Sequence, residues 1–414
     1  MKELIIKHID DPAALEQLYR SDANRFKSDF MTIFDQIDDH IVAKVWNERI
    51  KATEPSISWG FKYEWLVVIL ITFFAGIVAK MPHILSIDED FYFMRNIGFV
   101  VFPFLTLYIA WRLGVYLKGV VISSIMFLIS VIYINLLPDN PSSDTLLLAA
   151  LHLPLFLWSV FGFSTLKHEY KNHNQRLLFL RFNGDLAVMM AILAISGGIL
   201  TALTVGMFSL IEINIEHILE NIVVFWAAPA IPIVATFLIK TNPRIVNMVS
   251  PIIAKLFSPI VLITLVVYLA AVLISGKDPY NDRDFLLIFN LNLVGVMAII
   301  LFSILEASKN QGSRWESGLL FSLSVVAIIL NSIALSAILY RLFEYGITPN
   351  RITVMGGNVL ILSNLVMVSM RLFLITFKEE QIESVGESIS SFLPVYAVWT
   401  VVVVFLFPLL FGFR

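Results

Sequence analysis

The sequence predicts an all-α protein, a polytopic transmembrane helix bundle of about 11 spans. Three observations predict it. Of the 414 residues, 58% are apolar and only 15% are charged, too few polar side chains to clothe a single soluble core. The apolar residues fall into eleven runs, each close to the ~20 helical residues that cross a hydrocarbon layer of ~30 Å. Stretches such as Leu66 to Ala79 are apolar on every side, whereas membrane strands alternate apolar and polar residues over about ten positions. Helices are therefore the expected spanning structure.

Ahead of the runs, residues 1–60 lack the apolar stretch of a secretory signal and read as a small cytoplasmic amphipathic helical unit. Asp11 followed by Pro12 is a cap and a first-turn proline, which starts a short helix through Tyr19. Phe26, Phe30, Ile33, Phe34 and Ile37 recur at helical spacing, and so do Ile41, Val42, Val45, Trp46 and Ile50, which predicts two further helices. Eleven acidic residues outnumber the nine basic residues that precede the first span, so the unit is no polybasic anchor for anionic lipid. Its apolar faces pack together, or they dock a cytoplasmic protein partner.

Residues 61–414 form the transmembrane bundle, with spans expected at about 63–79, 96–111, 118–137, 145–165, 184–208, 219–240, 256–275, 284–306, 317–340, 350–374 and 389–411. Lys and Arg residues on alternate sides of these spans number 22 and 7. By the positive-inside rule the N-terminus is cytoplasmic and, with an odd count, the C-terminus is outside.

Chemistry is limited by what the chain lacks. Absence of cysteine excludes disulfides, thiolate metal sites and thiol catalysis. The seven histidines form no metal pattern, and no phosphate-binding loop, nucleophile elbow or His-Glu-x-x-His motif is present. No catalytic residue, metal site or cofactor is therefore assigned. The lipid bilayer is the expected partner and nucleic acid is not.

Polar and irregular residues inside the spans are costly in lipid and so more telling. Pro229 and Pro232 in span six remove two backbone donors and free the carbonyls of Phe225 and Ala228. A break at mid-membrane is expected there, either as a binding site of the transporter kind or as a plain packing kink. Asn290 and Asn292 in span eight, Asn331 in span nine, and Asn358 and Asn364 in span ten either hydrogen-bond between helices or line a hydrated cavity. Gly357, Asn364 and Arg371 lie seven apart on one stripe of span ten, although Arg371 also suits a snorkelling role. In span five, Ala194, Gly198, Ala202 and Gly206 form a small-residue seam on which another helix is expected to pack.

The most specific local stretch is Tyr340-Arg341-Leu342-Phe343-Glu344-Tyr345-Gly346-Ile347-Thr348-Pro349-Asn350-Arg351. Gly346 suits a left-handed position after span nine, Thr348 caps span ten and Pro349 takes its first turn, giving a tight outer hairpin. Arg341, Glu344 and Arg351 crowd it, as an electrostatic clasp or as a site for an anionic group. This stretch resembles the Tyr-Gly-(Leu/Ile)-Thr-Pro-Asn-Arg signature of a family of bacterial polytopic membrane proteins catalogued as a domain of unknown function. Leu177 to Ile215, with its Arg-Phe-Asn-Gly-Asp entry, is similar to the same family's pattern, so the resemblance covers roughly the last 240 residues. It implies a multi-pass protein of the bacterial inner membrane and brings no activity with it.

Three functions follow. A permease or a transporter of lipid or small molecules fits the span count, the prolines of span six and the polar stripes. A membrane sensor or scaffold would act through the N-terminal helices. A membrane-embedded transferase using a lipid-linked donor would need Asp88-Glu89-Asp90 as an acidic metal-binding loop.

Overall fold

The computed structural model describes residues 1–52, 60–114, 117–140, 142–166, 169–211, 213–275, 280, 283–309, 314–378 and 383–413. All regular structure among them is helical. The chain divides into two compact units, Met1–Ser58 and Trp59–Arg414.

Four helices make the first unit: α1 Lys2–Lys7, α2 Pro12–Ser21, α3 Ala23–Ile37 and α4 Ile41–Ala52. Asp11 caps α2 by accepting from the amides of Ala13 and Ala14, at 3.0 and 3.1 Å. The stripe on α3 is read correctly, since Phe26, Phe30, Ile33 and Ile37 are buried with Ile5, Leu15 and Trp46. Aromatic rings fill this core, with Phe26 5.0 Å from Trp46 and 5.7 Å from Tyr19. On α4 the reading holds for Val42, Trp46 and Ile50, which pack on this core, and fails for two residues. Ala43, Trp46 and Ile50 point inward, whereas Ile41 and Val45 are 79% and 62% exposed. Apolar residues occupy both sides of that helix, so spacing alone could not select the buried one.

In the second unit, α5 spans Glu64–Ala79, α6 Met81–Leu85, α7 Glu89–Leu113, α8 Leu117–Leu136, α9 Asp144–Thr165 and α10 His173–Ser209. Next come α11 Glu216–Ile222, a π turn Val223–Ala227, α12 Ala228–Thr241, α13 Pro243–Ser275 and α14 Arg283–Lys309. The unit closes with α15 Arg314–Tyr345, α16 Pro349–Lys378, α17 Glu383–Val401, a second π turn Val402–Leu406 and α18 Phe407–Leu410. Among the described residues nine helices are long and apolar enough to cross a membrane, which is the mark of a multi-pass membrane protein. The expected spans at 63–79 and 284–306 fall on apolar α5, Glu64–Ala79, and on α14, which is apolar over Leu293–Ala307.

Short connections make successive long helices run antiparallel. Contacts between distant segments fix which ends share a level. Arg112 at the end of α7 reaches Glu64 at the start of α5 and the carbonyl of Lys240 at the end of α12. At the opposite level, Ser143 before α9 donates to the carbonyl of Phe413, at 3.0 Å. Buried side chains of α5, α7, α9, α10 and α12 form one core around Tyr108, Phe161 and Ile233. Those of α13 to α17 form another around Ile300, Leu323, Val368 and Ile389.

Two expectations fail here. Span six is not broken, because the helix runs on from Glu216 to Thr241. The chain wraps one π turn ahead of Pro229 instead, and Ala228 N–H bonds to the Val223 carbonyl five residues back. The wider turn makes room where the proline ring would meet the preceding turn. The same device precedes Pro408, where Phe407 N–H bonds to the Val402 carbonyl. The seam on α10 also finds no partner among the described residues, since Ala194, Gly198, Ala202 and Gly206 are all exposed and none of those residues lies within 4 Å of where a Cβ on Gly198 or Gly206 would stand.

Candidate functional site

The hairpin of α15 and α16 carries the most unusual polar chemistry. Its tip is built from the stretch the sequence singles out. Gly346 adopts φ +78°, a left-handed conformation that ends α15. Thr348 Oγ1 accepts from Arg351 N–H at 3.3 Å, and buried Pro349 opens α16. Among the described residues no ion pair joins Arg341, Glu344 and Arg351. Arg351 Nη1 donates to the carbonyls of Tyr345 and Gly346, at 2.7 and 2.6 Å, and its guanidinium lies 5.6 Å from the Tyr345 ring centroid. Carbonyls at a helix C-terminus lack intrahelical donors, and a guanidinium with five N–H groups supplies them. Arg341 is half-buried and Glu344 exposed on the last turn of α15, and Asn350 is half-buried on the first turn of α16.

Below the tip the two helices face each other residue for residue. The rings of Phe321 and Phe373 stand 5.8 Å apart, and a Cβ on Gly318 would lie 3.8 Å from Thr376. One step up α15 therefore matches one step down α16, and this register brings Asn331 within one residue of the level of Asn364. Both side chains are 0% exposed. Asn364 Nδ2 donates to the hydroxyl of Tyr396 on α17, at 3.0 Å. Among the described residues, Asn364 Oδ1 and both polar atoms of Asn331 have no hydrogen-bond partner. Asn358, also buried, donates to the Val354 carbonyl one turn back, at 2.9 Å.

The remaining expected residues do not gather here. Side chains of Asn290 and Asn292 lie outside the described residues. Arg371 is exposed near the end of α16, and Gly357 faces open space, so the stripe of span ten is polar and enclosed only at Asn364. Pro229 and Pro232 are buried on α12, which packs against α5, α7 and α10. There the Phe225 carbonyl freed by Pro229 lies against α5, 3.0 Å from where a Cβ on Gly76 would stand.

Sequence spacing gives no sign of two further clusters, because their partners are far apart in the chain. Glu64, 0% exposed, accepts from Phe61 N–H at 2.9 Å, from Tyr108 Oη at 2.7 Å and from Arg112. Arg112 also donates to the Lys240 carbonyl, at 3.1 Å. Arg95, 1% exposed, donates to the carbonyl of Ile134 near the end of α8 at 3.3 Å and to Asp139 Oδ1 at 3.2 Å, stacking 4.0 Å from the Phe91 ring centroid. Beside it Asn96 and Asn135 exchange amide hydrogen bonds of 3.0 and 2.8 Å. These groups satisfy one another and hold helix ends together.

The acidic loop has a structural task as well: Asp88 accepts from Phe91 N–H at 2.8 Å and caps α7. Among the described residues no three His, Asp or Glu side chains stand close enough to hold a metal ion. Comparison of the chain with family models, with curated proteins and with solved structures finds no match in any of the three.

Proposed function

We propose that the chain is a permease of the bacterial inner membrane, a member of the family its hairpin resembles, with eleven spans and a cytoplasmic N-terminus. It moves a small molecule or lipid past the layer formed by Asn331, Asn364 and Tyr396. One observation carries the reading: the Asn331 amide is wholly buried between apolar helices with neither of its polar atoms hydrogen-bonded among the described residues. A buried polar group without a partner costs about 1–3 kcal/mol in proteins. A packing asparagine would turn that cost into an interhelical bond, as Asn96 and Asn135 do. Asn331 instead keeps two donors and an acceptor ready for water or solute, and a second acceptor on Asn364 stands within one residue of its level. Polar groups held at depth in a bundle mark substrate paths.

The absence of cysteine makes the test direct. Single cysteines at Asn331, Asn364, Asn292 and Ala228 are challenged in intact cells and inverted vesicles with permeant and impermeant maleimides. Labelling at Asn331 and Asn364, from one side or both, is the expected result. Uniform protection at those two positions defeats the permease reading.

A second reading, a sensor or scaffold acting through residues 1–60, is favoured by the exposed Ile41 and Val45, one turn apart on α4. A photocrosslinker at Val45 that captures one cytoplasmic protein in cells would support it; capture of none would remove it.

A further inference from the structure

Asn331, Asn364 and Tyr396 hold their hydrogen-bonding groups far from any charge on the three helices that carry them. A helix rises about 1.5 Å per residue. The nearest charged side chain to Asn331 on α15 is Arg341, about 15 Å along the axis. On α16 the nearest to Asn364 is Arg371, about 10 Å away and exposed, and on α17 the nearest to Tyr396 is Glu387, about 13 Å away. An ion entering this layer would shed its water and meet no opposite charge there. A solute that the layer accepts is therefore neutral.

The layer's free groups are of both kinds. Asn331 leaves two N–H donors and a carbonyl acceptor without partners among the described residues, and Asn364 Oδ1 is a further acceptor. Tyr396 Oη accepts from Asn364 Nδ2, and its own proton has no acceptor among the described residues. The free donors and acceptor of Asn331 sit side by side on one planar amide. A planar partner that carries N–H beside a lone pair meets such a group with two parallel bonds, as asparagine meets the edge of adenine. A hydroxyl group has no such fork. On the turns either side of Asn331, on the same face of α15, stand Ala327 and Ala334, each 1% exposed. Side chains this small leave space beside the amide for a solute of few atoms.

We infer, resting on the permease reading, that the solute is a small neutral amide of the urea or primary carboxamide class. Its carbonyl accepts from Asn331 Nδ2, one N–H donates to Asn331 Oδ1, and another donates to Asn364 Oδ1.

The test is stopped-flow light scattering of vesicles that contain the full chain, mixed with urea, guanidinium chloride or glycerol. Guanidinium has the planar outline of urea with a fixed charge, and glycerol is neutral but carries hydroxyls only. Urea is expected to enter about tenfold faster than into protein-free vesicles, with the other two solutes unchanged. Asn331→Leu keeps the volume of the side chain and removes its donors and acceptor, so it should abolish the added urea flux. Asn364→Leu should reduce that flux severalfold, and it decides the matter if Asn331→Leu is not monodisperse. Urea flux that survives both substitutions overturns the inference. Glycerol or guanidinium carried as fast as urea overturns the amide assignment and leaves a permease standing, as does maleimide labelling at Asn331 without urea flux. Protection of Asn331 and Asn364 from maleimide, with no flux of any of the three solutes, overturns both readings.

Discussion

A carboxylate with no exposed surface needs its lone pairs occupied, and Glu64 has them occupied by an amide, a phenol and a guanidinium from three places in the chain. Arg112 passes the link on to the last turn of α12 through the Lys240 carbonyl. Attraction inside such a pair roughly offsets the cost of burying it, but a lone buried charge has nothing to offset it. Arg112→Ala should therefore lower stability by about 3–5 kcal/mol, seen as a fall in the thermal midpoint of the detergent-solubilised protein. Replacing both residues, as Glu64→Gln with Arg112→Gln, should restore part of that loss. Arg95, Arg112 and Arg351 share one habit: each donates to backbone carbonyls at a helix end. Only the last of these was within reach of sequence reading, since its acceptors lie five and six residues away. The acceptors of Arg95 and Arg112 lie 39 and 128 residues distant.

Among elements, α16 shows how close packing depends on single positions. Its neighbouring glycines differ entirely: a Cβ on Gly356 would run into the indole ring of Trp399 on α17, whereas one on Gly357 would meet nothing within 4 Å. Gly356→Ala should cost about 1–3 kcal/mol through overpacking. Gly357→Ala should be neutral or slightly stabilising, because alanine is the better helix former. Thermal unfolding of the two variants side by side checks both. The two residues look alike in sequence, and only the helix across from them tells them apart. A similar limit explains α10, where four-residue spacing of small side chains shows that a helix could approach, not that one does. Proline is equally ambiguous: it marks where a hydrogen bond is lost, while the response, a break or a wider turn, depends on neighbours such as Gly76. The near-level pairing of Asn331 with Asn364 is the part of the candidate site most readable from sequence, because both lie about equally far from the turn at Gly346 and Thr348.

The whole molecule joins two kinds of stability, one drawn from apolar burial within a lipid-exposed bundle and one from a small water-facing core. In the latter, a hydrogen bond from Arg20 at 2.8 Å and the ion pair with Arg49 at 2.7 Å hold the Glu16 carboxyl below its ordinary range. A lowered pKa means that the folded unit favours the charged form. Its contribution is complete above the ordinary value of 4.5 and fades as pH falls through the lower folded value. In full-length protein, hydrogen-exchange protection of residues 1–52 should be higher in wild type than in Glu16→Gln at pH 6, with the ratio approaching one in acid. The fold class was legible because apolar runs of bilayer length admit few alternatives, and the core of α3 because its stripe lies on one face only. Sequence position hides how distant helices meet, and so it hid the bond from Asn364 to Tyr396. The π turns bear on the chain's length. Each holds one residue more than an α-helix of the same rise requires, so a bundle of unchanged height could shed one residue at Val223–Ala227 and another at Val402–Leu406. Insertions and deletions, ordinarily the business of surface loops, here find their least disruptive sites in the interior of two spans.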